Sequence, residues 1–284
     1  MIRVRTSLLL VVFVLAGCGG GEEEDVFEGV PLEQQDLGPV HVHGLGINPP
    51  DGALFIATHT GLFRVAPEAS KAERVGDRKQ DTMGFSVAGP DRFIGSGHPD
   101  LRDNLPPLLG LIESRDAGRT WEPVSLLGEV DFHVLRSLGK RVYGFDSTSG
   151  RLLVSSDRGR SWTERSPPEP LLDLVPHPTR PTTLVASGSV LYRSADSGAN
   201  WSVLGGEPGY LAWPRADRLY EVNGEGRVLI SRDSGETWTP LGAVGGEPAA
   251  FLAVSARELY VALHDGTIEV SRDGGRSWSI RSRP

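Results

Sequence analysis

Apolar residues come along this chain in short bursts of three or four, set apart by Gly, Pro, Asp and Ser. Leu54-Phe55-Ile56-Ala57, Phe93-Ile94-Gly95-Ser96, Val142-Tyr143-Gly144-Phe145, Leu184-Val185-Ala186-Ser187, Leu219-Tyr220-Glu221-Val222 and Leu259-Tyr260-Val261-Ala262 form one series. A second series follows it: Leu62-Phe63-Arg64, Leu111-Ile112-Glu113, Leu152-Leu153-Val154, Leu191-Tyr192-Arg193, Val228-Leu229-Ile230 and Ile268-Glu269-Val270. Short apolar runs bounded by turn formers predict strands. No stretch keeps a helical period for long. The order repeats six times between His41 and Pro284: an inner strand, a second strand, a third, a tight turn and a fourth.

The turn after the third strand carries the strongest signal. Ser114, Asp116, Gly118 and Trp121 set the pattern Ser-x-Asp-x-Gly-x-x-Trp, which returns at Ser155, Ser194, Ser231 and Ser271. The five tryptophans, at 121, 162, 201, 238 and 278, fall 41, 39, 37 and 40 residues apart. A period of this length marks a propeller or a related repeat architecture. Ser and Asp can accept hydrogen bonds from nearby backbone N–H groups, Gly can take a positive φ, and Trp brings a large ring to pack between sheets. The aspartates Asp116, Asp157, Asp196, Asp233 and Asp273 therefore read as structural. The pattern resembles the Asp-box, or BNR repeat, of sialidases, sortilin-type receptors and related β-propellers. That resemblance implies an all-β, six-bladed propeller of four-stranded antiparallel blades, with the box between strands three and four. The first unit lacks the box; Val65, Pro67, Ala69 and Ala72 stand in its place. Since the last unit supplies its own fourth strand, ring closure is expected mostly from side-chain packing of blade six on blade one, unless Val26 to Val40 provides a further strand.

The N-terminus changes the picture of where the domain works. Arg3 and Arg5 precede an apolar run from Leu8 to Leu15, the form of a secretory signal. The run is too short to cross a membrane as a helix. Leu15-Ala16-Gly17-Cys18 resembles a bacterial lipobox, and Cys18 is the only cysteine of the chain. The expected organisation is a lipoprotein signal peptide over 1–17, a lipidated Cys18 with an acidic tether over 18–40, and the propeller over 41–284. The protein would then hang from the outer face of a membrane by its lipid, as a monomer. The net charge of −8 argues against a nucleic-acid partner.

Candidate chemistry gathers at one end of the predicted ring. The start of each inner strand and the end of each second strand share one mouth, opposite the repeated turns. His41 and His43 open the first inner strand, and His59, His98 and His264 end the second strands of blades one, two and six. His133 lies deeper, in the inner strand of blade three. Alternation places His41 and His43 on one side of their strand. Imidazoles suit a divalent metal such as zinc, copper or nickel, and they also serve as hydrogen-bonding or acid–base groups. A polar channel lining without a ligand accounts for them equally. Blade two adds a long loop, Pro99 to Gly110, of the kind that tends to be functional.

The resemblance brings one enzyme into view. A sialidase implies three arginines, a Tyr–Glu nucleophile pair and an Asp acid/base. Tyr210, with Glu207 and Glu225 nearby in sequence, is the one candidate nucleophile, and no arginine triad accompanies it. Its Arg-Ile-Pro signature has only the imperfect counterpart Phe63-Arg64-Val65-Ala66-Pro67. Another glycoside hydrolase would need a pair of carboxylates, for which Asp100, Asp103, Asp146 and Asp265 are placed near the mouth. The domain from 41 to 284 also resembles bacterial lipoproteins labelled glycosyl-hydrolase-like, through its His-Val-His-Gly start and its Gly-Ser-Gly-His-Pro stretch. Sortilin-type receptors and photosystem assembly factors in the same class bind peptides or proteins. The expectation is thus a binding or scaffold module at the cell envelope, for a protein, peptide or glycan, with glycoside hydrolysis as the alternative.

Overall fold

The computed structural model describes residues 38–284; the signal peptide, Cys18 and all but the last three residues of the tether lie outside them. Within them the chain is a six-bladed β-propeller, each blade a four-stranded antiparallel sheet taken in sequence order. Blade one is β1 (Val42–Ile47), β2 (Leu54–Thr58), β3 (Gly61–Val65) and β4 (Glu73–Arg74). Blade two is β5 (Asp81–Gly89), β6 (Arg92–His98), β7 (Leu111–Ser114) and β8 (Glu122–Ser125). Blade three is β9 (Phe132–Leu138), β10 (Arg141–Asp146), β11 (Arg151–Ser155) and β12 (Thr163–Arg165). Blade four is β13 (Asp173–His177), β14 (Arg180–Ser187), β15 (Leu191–Ser194) and β16 (Ser202–Gly205). Blade five is β17 (Gly209–Arg215), β18 (Arg218–Asn223), β19 (Arg227–Ser231) and β20 (Thr239–Ala243). Blade six is β21 (Pro248–Ala253), β22 (Leu259–Leu263), β23 (Ile268–Ser271) and β24 (Ser279–Ser282). Every second and third strand expected from the apolar bursts is present.

Six apolar clusters hold the ring, one at each junction between blades. Phe55, Phe85 and Phe93 join blades one and two, and Val134, Leu152, Leu174 and Leu184 join blades three and four. The junction of blades six and one is built the same way, from Leu54, Ile56, Phe63, Tyr260 and Ile268. Burying one such side chain contributes about 1.5–3 kcal/mol, so this interface closes the ring by the same kind of packing as the others. Two polar contacts add to it. A parallel bridge joins Lys71 to Arg283, and the Arg281 guanidinium donates to the carbonyls of Ala66, Pro67 and Ala69. Those carbonyls lie in the stretch of blade one that lacks the repeated turn.

The turn itself is a closed hydrogen-bond unit. In blade five the Ser231 hydroxyl donates to Asp233 Oδ1 at 2.8 Å and accepts the Gly235 N–H at 2.8 Å. Asp233 also accepts from the Thr237 N–H and hydroxyl. The other four copies repeat this geometry at Ser114, Ser155, Ser194 and Ser271. Gly235 sits at φ 93°, and a Cβ there would lie 2.9 Å from Leu204 of blade four. The glycine therefore serves the turn and the blade junction at once.

Candidate functional site

The mouth is set by where each inner strand begins. In β1, β5, β9 and β21 the register slips by one residue close to the start of the strand. The slip leaves His43, Met83, His133 and Ala249 unpaired, and bulges of this kind re-aim a side chain. Two of the four bulged residues are therefore histidines. The register also makes His59, His98 and His264 equivalent, as their spacing predicted. Each stands two residues beyond the partner of the same inner-strand position, Ala57 opposite Gly44, Ser96 opposite Gly84 and Ala262 opposite Ala250.

Equivalence does not bring all three together. Asp81, at the start of blade two, reaches back and accepts a hydrogen bond from His59 Nδ1 of blade one at 2.7 Å. Asp131, preceding the inner strand of blade three, lies 3.6 Å from His98 Nε2 of blade two. The residue of blade one in that same position is His41, so no carboxylate comes across to His264. His264 instead lies 3.9 Å from Glu247 of its own blade, with both side chains more than half exposed. Among the described residues no ion pair or ring contact joins it to the other histidines. His41 holds a left-handed backbone at φ 52° and sets its ring 5.2 Å from that of His59.

The result is a cluster on blades one to three. The His43 and His59 rings meet edge to face at 4.5 Å. His43 Nε2 is 3.8 Å from Asp81 Oδ1, and Asp131 holds His133 Nε2 at 2.9 Å. His98 Nδ1 is tied to the Pro107 carbonyl at 2.8 Å, so the long loop of blade two steers that ring. Burial, followed by the neighbouring His59, pushes the His43 imidazole down to about 4. Burial also raises the Asp81 carboxyl above the usual carboxylate range. The hydrogen bond to Asp131 raises the His133 imidazole. Asp81 and Asp131 were absent from the sequence-based candidates. Aligning the starts of the inner strands on His41, as the ends of the second strands were aligned on His59, would have found them.

Below the cluster lies a small cavity of about 50 Å³, lined in part by His43, His133, Tyr210, Arg136 and Asp173. Leu45, Arg136 and Phe251 also line a larger, mainly apolar cavity of about 520 Å³ toward the opposite end of the channel. Asp173 is fully buried and accepts from Arg136 of blade three at 2.5 Å and from the Leu211 N–H of blade five at 2.9 Å. The floor of the mouth is thus pinned across three blades by one ion pair and one hydrogen bond to its carboxylate.

The other expected carboxylates are engaged elsewhere. Asp100 accepts from Arg102 and from the Lys79 N–H, and the guanidinium holds its carboxyl far below the usual range. Asp103 pairs with Arg78. Asp146 accepts from the hydroxyls of Thr148 and Ser149 and from the Asp131 N–H. Asp265 caps the Thr267 N–H in a turn. Tyr210 is pushed up to about 12, by burial first and then by Asp173 and Glu247. Its expected activating acids are not its partners: Glu207 binds Asn223 and Arg227, and Glu225 lies against Arg227. The Tyr–Glu pair of a sialidase is therefore not formed.

No family model and no curated protein sequence matches the chain. Solved structures do. An ancestral GH74 enzyme matches with a TM-score of 0.56 at 12% identity, over 86% of this chain and 39% of that one. The GH74 xyloglucanase from Xanthomonas campestris gives 0.55 at 16% identity, over 86% of this chain and 45% of that one. YCF48 bound to D1 peptide gives 0.54 at 13% identity, over 86% of this chain and 82% of that one. The likeness is one of fold. The chain spans less than half the length of the GH74 enzymes and most of the length of YCF48.

Proposed function

We propose that this chain is an envelope binding module of the Asp-box propeller class, anchored on the outer face of a membrane through lipidated Cys18 and acting as a monomer. It takes a peptide or a segment of a protein at the mouth of blades one to three. The observation that carries this reading is the cluster of His41, His43, His59, Asp81, His98, Asp131 and His133 around one opening, with the imidazoles of His59, His98 and His133 each more than a third exposed and set against a carboxylate. Such groups can donate to and accept from a peptide backbone. The peptide-bound YCF48 structure supports it, since that propeller covers nearly the same span. A displayed random-peptide library selected on the wild-type chain tests the reading. Selected peptides should lose binding to His59→Ala and Asp81→Asn and keep it to Glu164→Gln, whose carboxylate is on an outer strand. Selection of no mouth-dependent peptide would refute it.

A second reading rests on Asp81 and Asp131, two acids on adjacent blades, together with the GH74 neighbours. It is glycoside hydrolysis with Asp81, whose carboxyl burial raises, in the role of proton donor. Release of reducing sugar from xyloglucan, abolished in both Asp81→Asn and Asp131→Asn, would establish it.

A further inference from the structure

The mouth contains two atoms that the protein leaves unsatisfied although they face each other. His43 Nε2 and Asp81 Oδ1 are both buried, and neither has a hydrogen-bond partner among the described residues. They are 3.8 Å apart, beyond hydrogen-bond reach. Leaving a polar atom buried and unpaired costs about 1–3 kcal/mol. Two such atoms side by side, in a fold whose other buried polar groups are almost all paired, call for a shared partner. The separation fits two ligands of one small cation. Bonds of about 2.1 Å place tetrahedral ligands about 3.4 Å apart.

His59 completes the set. Its ring is packed against that of His43, its Nδ1 already engages the other oxygen of Asp81, and donor atoms of all three residues lie within 4.8 Å of one another. We propose that His43, His59 and Asp81 bind a divalent first-row transition ion of the zinc, nickel or copper class. This rests on the reading of the mouth as a binding site and names what stands at its centre. Two imidazoles and one carboxylate suit such an ion, whereas calcium and magnesium take oxygen ligands. Contraction of the set by about 1 Å is within reach of side-chain rotation, because His59 is 43% exposed. Three protein ligands leave a position open, as in exchangeable rather than closed structural sites. The carboxylate, imidazole or hydroxyl of a peptide bound at the mouth would complete the coordination. Asp131, with one buried oxygen also unpaired, adds negative charge beside the site.

The test uses the full chain, stripped with a chelator and titrated with Zn²⁺ in a calorimeter and with Co²⁺ followed by visible absorption. The expected result is one equivalent of either ion. Affinity should fall by roughly a hundredfold or more in His43→Gln and Asp81→Asn, which keep side-chain volume, and stay unchanged in Glu164→Gln. Zn²⁺ should also protect the exposed His59 of the wild-type chain from diethyl pyrocarbonate while His264 still reacts, a readout that does not depend on either variant folding. Absence of saturable binding to the wild-type chain, or binding undiminished in both folded variants, overturns the proposal. Stripped protein that takes up no Zn²⁺ yet still binds a library-selected peptide removes the metal and leaves the mouth reading standing. Stoichiometric Zn²⁺ without any selected peptide supports the metal and removes that reading.

Discussion

Arg136→Met tests whether the floor of the mouth is held by one buried ion pair. Asp173 is fully buried, and its carboxylate has three partners: the Arg136 guanidinium, the Leu174 N–H at 2.7 Å and the Leu211 N–H at 2.9 Å. Removing the guanidinium leaves a charged group deep in the ring with two amide donors. Breaking a buried pair in this way costs about 3–5 kcal/mol. Arg136 is 28% exposed, so water offsets part of the loss and about 3 kcal/mol is expected. Against a total stability of about 5–15 kcal/mol, that is a large fraction. In a domain of this size it lowers Tm by roughly 6–12 °C. The sign of the pH dependence follows from Asp173, whose carboxyl burial raises above its unfolded value. The folded state then holds the proton more tightly, so stability is fully present below about pH 3.9 and is lost as pH rises through the folded value. In the variant that loss should be larger and extend to higher pH, because the attraction that opposed burial is gone. Thermal and urea unfolding, followed by circular dichroism between pH 5 and pH 8, measures both effects. Adding Asp173→Asn to Arg136→Met removes the stranded charge and should recover more than half of the loss. The reasoning fails if Arg136→Met stays within about 1 kcal/mol of the wild-type chain, or if the double variant is as weak as the single one at the upper pH.

Three further outcomes follow from separate parts of the molecule. Ser231→Ala strands the Gly235 and Asp233 N–H groups, which its buried hydroxyl accepts, and should cost about 2 kcal/mol in urea unfolding. Gly97 sits at φ 131°, and a Cβ there would lie 2.1 Å from the Asp81 carbonyl; Gly97→Ala should therefore displace Asp81 and weaken Zn²⁺ uptake, while a change only in Tm would contradict the link. Burial pushes the Glu221 carboxyl up to about 7 and leaves its Oε1 unpaired; this group should cost the wild-type chain on the order of 3 kcal/mol as pH rises from about 4.5 to above 7, and Glu221→Gln should remove that share of the slope and leave the share of Asp173.

What could be read from the chain, and what could not, divides along a physical line. The repeated turn was legible because its hydrogen bonds stay within eight residues, so that Ser231, Asp233, Gly235 and Trp238 must recur together. The second and third strands were legible because each buries its own apolar burst. Blade one was legible despite its missing turn, since Leu54, Ile56 and Phe63 keep the pattern. The mouth was legible only in part. His59 and His98 announced themselves by position, but the acids that hold them belong to the next blade, and their contacts depend on how neighbouring sheets are rotated about the axis. Asp100 looked prominent because it stands in a long loop, yet Arg102, two residues away, occupies it. Asp81 and Asp131 looked like ordinary strand starts. The same offset between blades explains His264: the position that supplies a carboxylate to His59 and His98 supplies His41 to the sixth blade. In a ring of near-identical sheets, a site is made where one blade's second strand meets the start of the next blade's first. At the seam of blades six and one His41 holds that place, and His264 stays with Glu247 of its own blade.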